Sequence, residues 1–184
     1  MKNWQFSLVV WSLASHSLAD DLTGKKSMNP QNAKYQIELQ DVSAQPTLVI
    51  KGKAKVEEVG PVIGGILERV EKFIVSKKSR ATGAPFTRTL NFKDGILEFE
   101  SGFPVEAKMA GSGEIVSAEL PKGKVVTTIH VGSQETSQQA YEAIHNWLSK
   151  NKKSEAGAPW EVYLSDASVT PTESSKMQVY FPVR

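Results

Sequence analysis

Two side chains of this sequence combine a reactive type with a usable spacing: Glu161 and Tyr163, in the run Trp160-Glu161-Val162-Tyr163-Leu164. The run is aromatic and β-branched, which predicts a strand over 160–164. Successive side chains of a strand point to opposite faces, so Glu161 and Tyr163 share one face and Trp160, Val162 and Leu164 the other. The apolar trio is expected to pack beneath helices as core. That leaves the glutamate and the tyrosine on an open, concave side. A carboxylate there can hold a cation, and a tyrosine ring can stack on a planar group. If the carboxyl were buried, its pKa would rise and it could act as a general acid or base. The ordinary fate of a strand glutamate is solvation, so the pair needs a context before it becomes a site.

Other chemistries are poorly supplied. The 184-residue chain has no cysteine, which removes disulfides, thiol nucleophiles and thiolate-bound zinc. Its three histidines, His16, His130 and His145, include no i,i+4 pair for a metal. No Ser-His-Asp order and no glycine-rich phosphate loop is visible. No metal or cofactor is expected. A net charge of +2, with 40% apolar and 23% charged residues, is ordinary for a globular domain and announces neither a nucleic-acid binder nor a polybasic membrane protein. Basic clusters around Lys77 and Lys152 lack interleaved aromatics and fit the negative ends of helices better than a phosphate patch.

The elements that must position Glu161 emerge from a duplication. Phe73 to Phe86 and Trp147 to Trp160 both run from an aromatic residue through a basic stretch to Gly-Ala-Pro-aromatic, 74 residues apart. Phe103-Pro-Val105 recurs as Phe181-Pro-Val183 at a separation of 78, so the second copy carries a small insertion. Tyr35–Gln40 and Thr47–Ala54 read as strands. Ile63, Ile66, Leu67, Val70, Phe73 and Ile74 mark one face of a helix. Phe86–Phe92 and Ile96–Phe103 read as strands around an Asp94-Gly95 hairpin turn. The second copy repeats the order with a strand over Lys124–Val131, a helix bearing Ala140, Ala143, Ile144, Trp147 and Leu148, and strands at Trp160–Leu164 and Met177–Val183. The prediction is an α+β domain over 35–184: a duplicated β-α-β-β module, halves about 35–106 and 114–184. Its curved antiparallel sheet carries two helices on one face, with a groove on the pseudo-two-fold between the copies. Trp147 and Trp160 are expected in the core.

The N-terminus has its own pattern. Met1-Lys2-Asn3 is positive, Trp4–Ala14 is mostly apolar, and Ser17-Leu18-Ala19 offers small residues at a cleavage site. Residues 1–19 therefore read as a signal peptide and 20–34 as a polar, flexible leader, which implies a secreted or periplasmic protein without a membrane anchor.

With Ile129-His-Val-Gly132, Tyr141-Glu-Ala-Ile-His-Asn-Trp-Leu148, Gly157-Ala-Pro-Trp-Glu-Val-Tyr-Leu164 and Tyr180-Phe-Pro-Val183, the chain resembles the GyrI-like effector-binding domains found alone or fused to AraC- and MerR-type regulators. The resemblance implies the duplicated fold and a pocket at the junction of the halves. It also implies an amphipathic or aromatic, often cationic, ligand held by a carboxylate among aromatic side chains. It points to Glu161 as charge partner and Tyr163 as stacking partner, with Tyr180 and Phe103 as further ligand-binding candidates. The first copy carries Thr87 and Thr89 where the second has Glu161 and Tyr163, so the site's charge would come from the second half. A few members of the family hydrolyse strained small molecules with a pocket glutamate, which would make Glu161 a general acid or base. Stand-alone relatives engage gyrase, and tetrapyrrole carriers of SOUL type share the duplicated fold. The sequence departs from the family pattern at Ser133-Gln134, at Met177-Gln178 and at Thr89, positions where relatives often supply pocket groups. The expected partner is a small organic ligand, with no nucleic acid and no specified protein partner.

Overall fold

The computed structural model describes residues 35–133, 136–166 and 169–184; the predicted signal peptide and leader lie outside them. In chain order the elements are β1 (Glu38–Val42), β2 (Gln45–Lys55), α1 (Val59–Ser76), β3 (Phe86–Lys93), β4 (Ile96–Pro104), β5 (Val116–Leu120), β6 (Gly123–Val131), α2 (Gln138–Lys150), β7 (Trp160–Tyr163) and β8 (Lys176–Pro182). The eight strands form one antiparallel sheet in the order β1-β6-β8-β7-β3-β4-β2-β5.

Two short connections force this sheet to curl. Only Ser43 and Ala44 join β1 to β2, and only Pro121 and Lys122 join β5 to β6, yet each pair lies near opposite ends of the strand order. In a flat sheet the six spacings from β1 to β2 would cover about 29 Å. The two-residue link reaches at most about 11 Å between strand ends. The ends of the sheet therefore approach each other, and the molecule is a half-barrel with an inner and an outer face. Both helices pack on one and the same face of the sheet, α1 against β2 and β4 and α2 against β6 and β8, and this is the outer face.

The duplication is reproduced in space, with an exchange. β2-α1-β3-β4 and β6-α2-β7-β8 are the two copies, and β3 and β7 meet at the seam through Phe86–Val162, Thr87–Glu161 and Arg88–Trp160 pairs. β1 pairs with β6 of the second copy, while β5, a strand with no counterpart in the sequence reading, pairs with β2 of the first. The predicted hairpin turn is present: Asp94 and Gly95 have φ of 53° and 75°, the left-handed values a two-residue turn requires. Its counterpart between β7 and β8 is the longer 164–175 connection, which accounts for the shift from 74 to 78 residues. The basic clusters end the helices: Lys78 and Lys152 take equivalent left-handed conformations, with φ of 55° and 51°.

The outer-face core is continuous beneath both helices. Ile63, Ile66, Leu67, Val70 and Ile74 of α1 cover Leu48, Ile50, Phe99 and Phe103; Ala140, Ala143, Ile144 and Leu148 of α2 cover Val126, Met177, Val179 and Phe181. Residues of the inner face are buried too, although neither α1 nor α2 packs there: Val49, Phe86, Val125 and Trp160 are all at most 4% exposed. The curl itself shields them. At one point it demands a glycine, since a Cβ on Gly102 would lie 1.9 Å from the Leu48 carbonyl oxygen of the neighbouring strand. Among the described residues no helix is long and apolar enough to cross a membrane, and no three metal-ligating side chains converge.

Candidate functional site

Glu161 occupies the centre of a row that runs across the outer face at the seam. Its cross-strand neighbours are Val179 on β8 and Thr87 on β3, and the row continues to Thr128 on one side and to Ser101 and Ile50 on the other. The first-copy half of this row satisfies itself: the Thr87 and Ser101 hydroxyls hydrogen-bond at 2.7 Å. Glu161 has no such partner on a neighbouring strand. Its carboxylate is instead met by two phenols. Tyr141, reaching down from α2, donates a very short hydrogen bond to Oε1, and Tyr163, two residues along β7, donates to Oε2 at 3.4 Å. The Tyr141 ring is fixed by an edge-on contact with Phe181, 5.5 Å between centroids at 76°, and His145 one turn further along α2 makes a similar contact at 5.3 Å.

The electrostatics follow from burial. Glu161 is 5% exposed, and loss of water pushes its carboxyl pKa up; the two tyrosine hydrogen bonds pull it back without cancelling the shift. The Tyr141 hydroxyl is pushed well above its usual range, first by burial and then by the adjacent carboxylate charge. No lysine, arginine or histidine contributes to the shift of Glu161. A buried carboxylate held by neutral donors is costly to keep ionised, and it is ready to exchange a neutral donor for a cation. His145 does not fill that role. It faces Glu155 at 3.4 Å, and burial holds its pKa down, the carboxylate opposing only in part.

The expected pairing of Glu161 and Tyr163 is present, but the face assigned to them is not. They point toward the helices, on the outer, convex side, and not to an open concave one. Trp160 lies on the inner face, where it stacks on Tyr180 at 5.2 Å and 7°. Leu164 is not core at all and is 45% exposed. Side chains alternate along β7 as expected, but the apolar set need not lie under the helices, because the curl buries the inner face as well. Trp147 is half-buried against the outer core. Tyr180 is therefore separated from Glu161 by the thickness of the sheet. Phe103 shares the outer face but sits in the packed core, as the repeat mate of Phe181. Neither joins Glu161. His130 is buried on the outer face and engages the Tyr35 hydroxyl at 2.8 Å through Nδ1 and the Ser133 carbonyl at 2.8 Å through Nε2.

Tyr141 is the site residue the sequence reading overlooked. The signal was available in the repeat: at the 74-residue separation Tyr141 falls on Leu67, a core residue of α1. A tyrosine at a core position needs a polar partner for its hydroxyl, and Glu161 is that partner.

Residues 35–184 match the sequence model of the GyrI-like small molecule binding domain. No curated protein matches the chain. Among solved structures, the EcmrR C-terminal domain aligns with a TM-score of 0.63 and 20% identity, covering 82% of this chain and 98% of that one. EcmrR in its DNA complex aligns with a TM-score of 0.67 and 18% identity over 82% of this chain; the chain spans only 57% of that protein's length. A hydrolase from Listeria innocua aligns at 0.59 and 14% identity, covering 81% of this chain and 92% of its own. SAV2435 bound to tetraphenylphosphonium aligns at 0.55 and 14% identity, covering 81% and 94%. At these identities the structures establish the fold.

Proposed function

The chain belongs to the GyrI-like small-molecule-binding family, and from that premise we propose that it binds an organic cation at the seam beneath α2, with the Glu161 carboxylate as countercharge. The observation that carries this reading is the state of Glu161: buried, its pKa raised, and, among the described residues, hydrogen-bonded only by phenols with no cationic side chain paired to it. A ligand cation supplies the charge the fold withholds. To reach it, the ligand displaces the Tyr141 hydroxyl from Oε1, and the freed tyrosine rings then flank the cation with their faces. One of the fold relatives was solved with tetraphenylphosphonium, a bulky aromatic cation of this class. The test is a thermal-shift screen of the protein against aromatic cations, neutral aromatics of matched size, and haem. Cations alone are expected to raise the melting temperature, because only a ligand that binds the folded state does so. Preference for neutral aromatics or for haem would overturn the assignment.

A second reading, hydrolysis of a reactive small molecule with Glu161 as general acid or base, draws on the same raised pKa and on the relative described as a hydrolase. It predicts turnover that vanishes in Glu161→Gln while binding persists. Export is also proposed, from the signal-like segment 1–19; N-terminal sequencing of the protein from its cells should begin at Asp20. An intact Met1 on the bulk of the protein would exclude it.

A further inference from the structure

The inner face of the half-barrel carries a second asymmetry, the reverse of the outer one. Two rows cross it side by side and are related by the pseudo-two-fold. One is uncharged: Ile129, Gln178, Val162, Phe86, Gly102 and Val49. The other runs Thr127, Tyr180, Trp160, Arg88, Glu100 and Lys51. Arg88 thus stands directly opposite Trp160, at the position where the second copy has Val162.

Arg88 is poorly satisfied for a guanidinium in such a place. It makes one hydrogen bond, at 3.3 Å from Nη1 to Glu100 Oε1, and its buried Nε has no partner. A guanidinium has five N–H donors in a planar fork suited to a carboxylate; here only Nε is buried without a partner, while the side chain, 23% exposed, stays open to an incoming group. Glu100, 6% exposed, is flanked by two basic residues in this row, Arg88 on one strand and Lys51 at the facing position of the other, so the row carries more positive than negative charge. Beside Arg88 the uncharged row leads to apolar side chains in the open: Ile129 is 47% exposed and Val131 44%, both on this face by alternation along β6, and Leu164, the residue that follows β7, is 45% exposed.

We propose that the inner face is a second ligand site, for an amphipathic monocarboxylate. Its carboxylate pairs with Arg88, and its apolar body, on the order of 10 Å long by strand spacing, lies over Val162, Ile129 and Leu164. This site is separated from Glu161 by the sheet and takes the opposite charge, so it does not depend on the cation reading. Binding removes the exposed apolar side chains from water and fills the donors that Glu100 leaves idle.

The test is calorimetric titration of the protein with 6-phenylhexanoate and with its neutral amide. The acid is expected to bind at least tenfold more tightly than the amide. Arg88→Gln should erase that preference, Leu164→Asp should weaken the acid at least fivefold, and Glu161→Gln should leave its affinity unchanged. The acid-to-amide ratio of the unaltered protein keeps the test decisive if Arg88→Gln fails to fold. No measurable acid binding, equal affinity for acid and amide, or loss in Glu161→Gln would each overturn the proposal. So would a protein that is dimeric until Leu164→Asp makes it monomeric, since the apolar patch would then belong to a second copy.

Discussion

The Tyr141 hydroxyl of α2 hydrogen-bonds Glu161 of β7, joining the helix of the second repeat to the strand at the seam. The corresponding residues of the first repeat, Leu67 and Thr87, make no such bond; Thr87 turns to Ser101. This helix-to-strand contact belongs to the second half alone, and it holds the carboxylate that we assign to the ligand.

Removing that contact should separate its two consequences. Tyr141→Phe keeps the ring against Phe181 and deletes the donor, leaving Oε1 buried and unpaired. The expected cost at neutral pH is about 1–3 kcal/mol in urea unfolding, the penalty for an unsatisfied buried acceptor. Affinity for an aromatic cation should rise, because no hydroxyl has to be displaced. Unchanged stability would show that the bond contributes nothing in solution.

The pH dependence follows from the direction of the Glu161 shift. Its pKa is raised in the folded protein above the unfolded value, through burial. The folded state therefore binds the proton more tightly than the unfolded chain. The associated stabilisation is full below the unfolded pKa and is lost as pH rises through the folded one. Glu161→Gln should consequently gain on the unaltered protein in melting temperature as pH is raised from 4 to 8. Cation affinity should move the other way, strengthening as Glu161 ionises over the same range. Cation affinity that is flat with pH would detach the ligand from this carboxylate.

Phe103 tests the division between core and site. It is 4% exposed under α1 and is expected to be structural. Phe103→Ala should cost about 3–5 kcal/mol in denaturant unfolding, the range for a large buried side chain, while the cation affinity of the folded fraction stays within about twofold. Tyr180→Leu, on the inner face against Trp160, should likewise leave cation binding unchanged.

Much of this architecture is legible in the residues. The repeat, the buried helix faces, the Asp94-Gly95 turn and the shared face of Glu161 and Tyr163 all rest on local spacing, and local spacing survives folding. Long-range pairing is another matter. Nothing within Glu38–Val42 specifies that the strand crosses to β6, because that partnership depends on how far the whole sheet curls. The same curl misdirects the reading of β7. In an open sheet only one face is buried, so Trp160 marks the core; in a half-barrel both are, and Trp160 and Glu161 are buried on opposite sides at 4% and 5%. Tyr141 could be inferred only by laying one copy over the other, where its polarity conflicts with Leu67.

The central claim is that Glu161 is the countercharge for a cationic ligand, and calorimetric titration of the unaltered protein and Glu161→Gln measures it most directly. The two ligands are tetraphenylphosphonium and a neutral tetraphenyl analogue. The substitution should weaken the cation at least tenfold, about 1.4 kcal/mol, and change the neutral compound by less than about twofold. Equal weakening of both, or none of either, would contradict the assignment of Glu161.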